Sequence, residues 1–441
     1  MTKHRWLGTV PCLLVLVACR DIAKLSVEQG MGPTPVLTEP RPSLFPTINI
    51  APARGWLPGT APRPGTGLAV NAFAAGLNHP RWIYVLPNGD VLVAETNAPA
   101  ATGRDWSIRD WFMRKVMQRA GAGVRSPDRI TLLRDANGDG IADSRSVFID
   151  KLHSPFGMAL VGTTLYVANT DAVLAFPYEP GTLKIHAIGS LLTALPAGSI
   201  NHHWTKNIIA NAAGTQLFAT IGSNSNVAEN GIDNEFERAS VWQIDLPGGK
   251  HRVFASGLRN ANGLAWDSAR QVLWTVVNER DDIGSDLVPD FLTAVQDGAF
   301  YGWPYSYFGQ HVDVRVEPRP DLVARARTPD YALGPHTGSL GLAYSSGATL
   351  APHFATGMFV GQHGSWNRKP LSGYKVLFVP FNDGQPAGPA IDVLTGFVSN
   401  DGAALGRPVG VAIYGVGALL VADDVGNTIW RVTTLTPLPA R

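Results

Sequence analysis

The stretch Gly257-Leu258-Arg259-Asn260-Ala261-Asn262-Gly263-Leu264-Ala265 leads to the apolar run Val272-Leu273-Trp274-Thr275-Val276. A turn rich in glycine and asparagine is thus followed by a short strand, a second turn and a strand of β-branched and aromatic residues. Further copies of this pattern recur at intervals of about 50–80 residues, beginning near residues 76, 152, 203, 339 and 406. Such repeats are typical of propeller blades. The sequence therefore predicts an all-β fold, a six-bladed β-propeller over residues 67–435 with inserted loops.

Two intervals between copies are longer than one blade requires, residues 98–128 and 278–338. The first contains Trp106, Ile108, Trp111 and Val116 at near-helical spacing, which predicts one short helical insertion packed on the ring. Contact with a membrane is the alternative for this insertion.

The composition excludes several classes of protein. The 441 residues contain 36 Lys plus Arg and 35 Asp plus Glu, so the formal charge is +1. A nucleic-acid binder usually carries a basic excess, and none is present. With 45% hydrophobic residues, the chain can bury a large core and is not disordered.

The N-terminus predicts export. Basic residues at positions 3–5 precede an apolar run over residues 6–18, a length typical of a signal-peptide core and too short for a membrane span. The run ends in Leu16-Val17-Ala18-Cys19, which resembles a bacterial lipobox. We therefore expect a lipoprotein signal peptide over 1–18 and a lipid anchor on Cys19; an ordinary signal peptide is the alternative. Because Arg20 and not Asp follows, we expect the outer membrane, facing the periplasm.

The segment over residues 19–66 is rich in proline, with nine prolines between positions 33 and 64. Such spacing prevents helix formation and predicts an extended tether. A strap packed on the domain is the alternative. Residues 436–441 are a short C-terminal tail.

An Asp-Gly-rich loop between two strand-like runs is a candidate metal site. Its oxygen-bearing side chains alternate along the chain, which suits a structural Ca²⁺. The loop lacks the distal Glu of an EF-hand, and hairpin tips of this composition also occur without metal. The candidate ligands are Asp135, Asn137, Asp139 and Asp143.

Polar residues recur where the repeats enter the predicted channel. Only one of His202 and His203 can face the channel, because side chains alternate along a strand. Arg259, Arg368 and Arg407 lie at corresponding blade edges in a chain of net charge +1, which indicates a polyanionic ligand. The alternative is that each arginine only caps loops.

Several motifs resemble the bacterial sorbosone dehydrogenase family and, more distantly, the soluble quinoprotein glucose dehydrogenases. The resemblance covers about residues 67–435 and is carried by residues 114–124, 129–135, 203–206 (HWTK), 257–260 (GLRN), 278–281 (NERD), 301–304 (YGWP) and 361–368 (GQHGSWNR). It implies a six-bladed propeller that binds pyrroloquinoline quinone (PQQ) and Ca²⁺ in the channel mouth and oxidises a sugar or sugar-derived aldehyde.

The resemblance also implies roles for single residues. His203 matches the general base, and Arg259 matches the arginine beside the quinone, with Asn260 and Asn262 as further cofactor contacts. The backbone carbonyls of Arg280 and Asp281 match the loop that holds the catalytic Ca²⁺. Arg368 and Arg407 are candidates for the cofactor carboxylates. The electron acceptor, a quinone or a cytochrome, is not specified.

The sequence departs from the distant relatives at Ser223, where glucose dehydrogenases carry an Asp near the base.

Two other functions stay open. A propeller lactonase would hold Ca²⁺ by residues that end inner strands, such as Glu95, Asn169, Asn278 and Asp423. A non-catalytic binding propeller at the cell surface is the third possibility.

Overall fold

Each sequence repeat forms an antiparallel sheet, and six such sheets surround a central axis in the computed structural model, which describes residues 21–42, 47–100, 115–347, 350, 352–415 and 417–435. The predicted all-β, six-bladed propeller is confirmed. Among the residues described, none belongs to a helix with the length and hydropathy needed to cross a membrane.

The first three blades are simple four-stranded meanders whose strands follow one another from the axis outward. Blade 1 contains Pro80–Val85, Val91–Glu95, Arg129–Arg134 and Ser144–Ile149. Blade 2 contains Met158–Val161, Thr164–Ala168, Ala172–Pro177 and Ser190–Ala194. Blade 3 contains Ile208–Ala210, Gln216–Ile221, Ser240–Asp245 and His251–Ser256.

The last three blades also take up strands from the N-terminal part of the chain. Blade 4 contains Ala261–Asp267, Val272–Val277, Pro289–Ala294, Tyr331–Pro335 and the added strand Met31–Gly32. Blade 5 contains Ser339–Ser346, Thr356–Gln362, Lys375–Asn382, Ile391–Thr395 and the added strand Arg63–Pro64, with Gln385–Pro386 paired to its third strand. Blade 6 contains Pro408–Tyr414, Ala418–Asp423, Thr428–Thr434 and, as its outer strand, Leu68–Ala75.

Within the described part of the chain, helical structure consists of short segments. They are residues 115–119 of the first insertion, the α-helical turn Pro320–Val323 and the 3-10 turns Glu28–Gly30, Ile232–Glu235 and Pro352–Phe354. The second insertion also contains the small hairpin Ser306–Tyr307 and His311–Val312. Most of the helix predicted in the first insertion falls on residues 101–114, which lie outside the described residues.

The inner strands of blades 4, 5 and 6 each contain a glycine for a packing reason. A Cβ atom on Gly263 in blade 4 would lie 2.6 Å from the Cβ of Leu342 in blade 5. A Cβ atom on Gly410 in blade 6 would lie 2.8 Å from the carbonyl oxygen of Arg81 in blade 1. The inner strands approach too closely for a side chain at these positions, so the repeat retains glycine to let the ring close.

The proline-rich segment does not form a free tether. Its described residues within 21–66, the N-terminal strap, have extended backbone that lies across the blades. Met31 pairs with Leu333 in blade 4 and Arg63 with Thr395 in blade 5. Trp56 donates its indole N–H to Asp423 of blade 6 at 2.7 Å. The prediction of extended backbone is therefore correct, whereas that of a tether is wrong, because backbone and side-chain hydrogen bonds fix the segment to the ring.

One end of the propeller carries the loops that join the second and third strands of each blade and those that enter each inner strand. We call this end the mouth face. In blades 1, 4, 5 and 6 the strand register shifts where the inner strand begins, for example between Ala261 and Leu264. Such bulges redirect side chains. They give the residues at the mouth orientations that a regular strand would not provide.

Candidate functional site

His203 lies at the mouth face, just before the inner strand of blade 3, and its side chain is buried. Its Nδ1 lies 2.9 Å from Oγ and 3.1 Å from the carbonyl oxygen of Ser223. The Ser223 hydroxyl donates to the carbonyl of Ser225 at 2.6 Å, so its oxygen is left to accept from the ring. Because a carbonyl can only accept, Nδ1 carries the proton and Nε2 has the free lone pair. Ser223 is thus the orienting partner of His203.

The electrostatic surroundings keep His203 neutral. Burial, and next the positive charge of Arg259, hold the pKa of His203 well below its ordinary value of 6.5. A neutral imidazole at physiological pH can take up a proton at Nε2. His202 is exposed, with its ring centre 4.7 Å from that of His203. The structure therefore distinguishes the two histidines by burial, and the choice of His203 as the one that faces the channel stays a prediction.

Arg259 is buried at the centre of the loops that surround His203. Its Nε donates to the carbonyl of Asn226 at 3.1 Å, and its Nη2 donates to the Asn226 side chain at 2.9 Å and to Asp281 at 3.3 Å. Its Nη1 donates to the carbonyls of Asn278 and Glu279 at 3.1 and 2.7 Å. All five N–H groups therefore have acceptors. Arg259 fixes these loops and supplies a positive charge that cannot reorient.

Asp281 joins this arginine to the loops of blade 5. Its Oδ1 accepts from Asn367 at 2.6 Å and lies 3.3 Å from Nδ1 of His336. The other nitrogen of His336 lies 2.9 Å from the carbonyl of Gly284, so both ring nitrogens face acceptors. Burial alone would lower the pKa of His336, but Asp281 outweighs it and raises the pKa. A charged Arg259–Asp281–His336 chain therefore runs along the mouth.

The predicted calcium loop has another role in this structure. The backbone carbonyl of Asp281 accepts from Nη1 of Arg315 at 2.7 Å. The guanidinium of Arg280 is fully buried and donates to the carbonyls of Pro304 and Ser306 at 3.0 and 2.7 Å. An arginine of the second insertion therefore lies at the Asp281 carbonyl, and Ca²⁺ at the carbonyls of Arg280 and Asp281 stays a prediction.

The two predicted asparagines lie beside the base. Asn260 has a buried Oδ1 without a hydrogen-bond partner among the described residues. Gly222 lies so close to His203 and Asn260 that a Cβ atom would collide with both. Asn262 donates to Oγ1 of Thr205 at 2.9 Å and accepts from Asn207 at its carbonyl. Asn260 is therefore available to a ligand, whereas Asn262 supports the strand that follows His203.

Arg407 belongs to a second cluster on the mouth face, where it lines a cavity of about 80 Å³ with His79, Arg81, His363 and Asp424. Asp424 accepts from Arg81 at 2.7 Å and lies 2.9 Å from Nε2 of His363. Nε of Arg81 and Nε of Arg407 are buried and have no hydrogen-bond acceptor among the described residues, whereas Nε2 of His79 lies 3.6 Å from Asp424. Two cations with unpaired donors around a small cavity form a site for an anionic group.

One contact links this second cluster to the segment that carries the base. The guanidinium carbon of Arg81 lies 5.8 Å from the ring centre of Trp204, the neighbour of His203. Sequence reasoning missed His79, Arg81, His363 and Asp424 as site residues. Arg81 could have been found, because it stands at the entry to an inner strand as Arg259 and Arg407 do.

Arg368 lies elsewhere. Its Nη1 donates to the carbonyl of Pro370 at 3.0 Å, and its Nη2 donates to Leu25 of the strap at 2.9 Å and lies 3.8 Å from Asp286. The structure does not bring Arg368 to the cavity that Arg407 lines, because the guanidinium bonds to the backbone carbonyl of the strap and lies near a carboxylate; its role toward the cofactor carboxylates stays a prediction.

The Asp-Gly loop lies between the third and fourth strands of blade 1, at the end opposite the mouth. Asp135 accepts from the amides of Gly138 and Gly140, at 2.8 and 2.9 Å, and Asp139 accepts from Ile141 at 2.8 Å. Asp143 accepts from the amides of Ala136 and Asn137. Across the described part of the chain, no three His, Cys, Asp or Glu side chains are grouped to hold a metal. The loop is closed by its own backbone, and calcium at this loop stays a prediction.

Together the fold and the site define a six-bladed propeller whose mouth combines a neutral buried histidine with a cationic pocket. The chain belongs to the TrAA12-like family, whose profile matches residues 123–291 and 321–435, more than half of the chain. The match to the sorbosone dehydrogenase family in particular stays a prediction.

Sequence relatives and solved structures extend this finding. A PQQ-dependent pyranose dehydrogenase from Coprinopsis cinerea is 24% identical over 366 residues, covering 68% of this chain and 48% of that protein, so the chain spans about half of its length. An uncharacterised protein from Borreliella burgdorferi is 24% identical over 330 residues, covering 70% of this chain and 86% of that protein. The PQQ domain of the Coprinopsis enzyme superimposes with a TM-score of 0.67 at 21% identity over 87% of this chain and 100% of that chain. A structure of a Trichoderma reesei carbohydrate-active enzyme of family AA12 superimposes with a TM-score of 0.68 at 17% identity, covering 89% of this chain and 100% of that chain.

Proposed function

We propose that this protein is a PQQ-dependent dehydrogenase that oxidises a sugar or sugar-derived aldehyde of the sorbosone or aldose type. The observation that carries the proposal is the state of His203, which is neutral and held by Ser223 at Nδ1, so that Nε2 keeps its lone pair. The likeness to the PQQ-dependent pyranose dehydrogenase of Coprinopsis cinerea supports it.

The residues at the mouth fit an anionic cofactor by their chemistry. The unpaired, buried Nε–H groups of Arg81 and Arg407 match a carboxylate, and the unpaired Oδ1 of Asn260 matches a donor. The cavity of about 80 Å³ admits one carboxylate and not a tricyclic quinone. The segment Met117–Ala122 closes one side of that cavity, so the whole cofactor requires this segment to move.

PQQ, when bound, supplies the two-electron acceptor for the carbon that loses hydride. His203 takes the hydroxyl proton of that carbon at Nε2, while Ser223 keeps the proton on Nδ1 and so fixes the tautomer. Arg259 provides a fixed positive potential that stabilises negative charge developing beside it, without reorientation of its side chain. No step is assigned to calcium, because the carbonyl of Asp281 already accepts from Arg315.

A lactonase is less well supported. Three residues that would ligate its Ca²⁺ are already engaged. Glu95 accepts from Asn78, Arg129 and Thr131. Asn278 donates to Asp290 at 3.2 Å. Asp423 accepts the indole N–H groups of Trp56 and Trp430 at 2.7 and 3.0 Å. A calcium site built from these residues would require each of them to give up its partner.

The test is reconstitution of the purified apoprotein with PQQ, with and without Ca²⁺. The absorbance spectrum of the reconstituted protein is then recorded, and its turnover of aldoses and aldehydes is measured with an artificial electron acceptor. We expect a bound-quinone spectrum and sugar-dependent reduction of the acceptor. His203→Ala should keep the spectrum and lower kcat by about 10²–10⁴-fold, whereas His202→Ala should change kcat little. Absence of a bound-quinone spectrum would remove the proposal.

We also propose that the protein is anchored by a lipid on Cys19 and faces the periplasm from the outer membrane. The lipobox-like run 16–19 supports this. Mass spectrometry of the mature N-terminus tests it, and Cys19→Ser should yield an unmodified chain. An unmodified Cys19, or cleavage well downstream, would refute it.

A further inference from the structure

The first described residues of the strap lie on the mouth face. The side chain of Asp21 accepts from the amide of Ser285 at 2.5 Å, and Arg41 bridges Asp21 and Asp286 at 2.6 Å each. The amide of Lys24 donates to Asp286 at 2.8 Å. These contacts fix the start of the strap to the loop of blade 4 that also carries Asp281, the partner of Arg259.

Only one residue separates Cys19 from Asp21 in the sequence. Two residues of extended chain reach about 7 Å. A lipid on Cys19 would therefore meet the protein beside the loop of residues 283–286. The remainder of the proline-rich segment cannot act as a spacer, because it leads away from this point and is hydrogen-bonded to blades 4, 5 and 6.

The mouth face also exposes large apolar side chains. Phe236 is 76% exposed on the loop between the second and third strands of blade 3. Others on mouth-face loops or on the strap are Ile22, Leu57, Met117, Val124, Ile200 and Ile232. Exposed apolar side chains of this kind can enter the boundary between headgroups and acyl chains.

We propose that the mouth face of the propeller lies against the surface of the lipid bilayer, with the open end of the site turned toward the membrane. The partner of this surface is the bilayer itself, and the anchor on Cys19 sets the orientation. The inference rests on the proposed lipid anchor and not on the proposed chemistry. It places the site where a membrane-bound electron acceptor could reach it.

The chain offers a clean test, because Cys12 and Cys19 are its only cysteines. Phe236→Cys introduces a unique labelling site on the mouth face. Ile188→Cys is the matched control, since Ile188 is 97% exposed on the loop between the third and fourth strands of blade 2, at the opposite end. Each variant is labelled with a fluorophore, and the lipidated protein is reconstituted in vesicles with and without brominated phospholipid. We expect a several-fold larger loss of emission at position 236 than at position 188.

Each outcome decides the proposal, and its failures are separable. Equal quenching at both positions, or stronger quenching at 188, would overturn the orientation while leaving the anchor intact. Absence of quenching at both positions in a protein whose lipid is present by mass spectrometry would show that the domain stands off the membrane. A mature chain without lipid on Cys19 would remove the premise and with it the proposal. None of these results depends on PQQ binding, so they leave the proposed enzymatic function to its own test.

Discussion

Replacement of Ser223 by alanine is the sharpest test of how the base is held. Ser223 provides two acceptors to Nδ1 of His203, its hydroxyl at 2.9 Å and its backbone carbonyl at 3.1 Å. The substitution Ser223→Ala removes the hydroxyl and keeps the carbonyl. The Nδ1 proton therefore retains an acceptor, and the tautomer with a free Nε2 is preserved.

The expected loss follows from one hydrogen bond. A neutral hydrogen bond contributes about 0.5–1.5 kcal/mol net, which corresponds to a decrease of about 2- to 13-fold in kcat. Removal of the base itself by His203→Ala should cost about 10²–10⁴-fold. Ser223→Ala should therefore fall clearly between the wild type and His203→Ala.

The assay is steady-state turnover of one sugar by the PQQ-loaded enzyme, with KM and the PQQ dissociation constant measured for both variants. The bound-quinone spectrum controls for cofactor loss. If Ser223→Ala were as inactive as His203→Ala, the backbone carbonyl would not suffice to hold the ring. If Ser223→Ala matched the wild type, the hydroxyl would have no part in orienting the base. Either result would refute the reasoning.

Three further predictions concern charge and stability. The pKa of His203 lies well below 6.5 in the folded protein, so the unfolded chain takes up a proton first as the pH falls. The free energy of unfolding should therefore decrease below pH 6.5, and it should decrease less in His203→Gln. Urea denaturation of both proteins at several pH values measures this difference. Arg407→Gln should weaken PQQ binding by about 30-fold or more, whereas Arg368→Gln should leave the dissociation constant nearly unchanged. Calorimetric titration of both variants with PQQ decides whether the cavity binds a cofactor carboxylate. Burial lowers the pKa of Lys206 to about 7, so Lys206→Met should raise the free energy of unfolding at pH 7 by at most about 5 kcal/mol. A Lys206→Met protein no more stable than the wild type at pH 7 would show that Lys206 is not desolvated.

The sequence predicted the ring because the information for each blade is local. The inner strand that begins at Ala261 and its neighbour that begins at Val272 are adjacent in sequence, and the same pattern recurs in every blade. The outer strand of blade 6 was not predicted, since Leu68–Ala75 pairs with Thr428–Thr434 from the far end of the chain. Proline spacing likewise indicates extended backbone but does not indicate which surface that backbone contacts.

Site residues were predictable where the backbone dictates their place. His203 and Arg259 precede inner strands, so their position at the mouth follows from the repeat. The direction of a long side chain does not follow from it. Arg368 and Arg407 both occur at blade edges, yet the first guanidinium bonds to the strap and the second faces a cavity. The surroundings that decide this, such as Leu25 and Asp286, lie far away in sequence.

The pairing of Leu68–Ala75 with Thr428–Thr434 also governs when the molecule can form. A polypeptide is synthesised from its N-terminus, so more than three hundred further residues must be added after the first of these strands before its partner strand is present. Contacts of such sequence separation form late. Until then the incomplete ring has unpaired strand edges at both ends. Under the export proposed above, this delay would leave the polypeptide loose enough to pass through a narrow pore, and the ring would close only after the last strand had arrived on the far side.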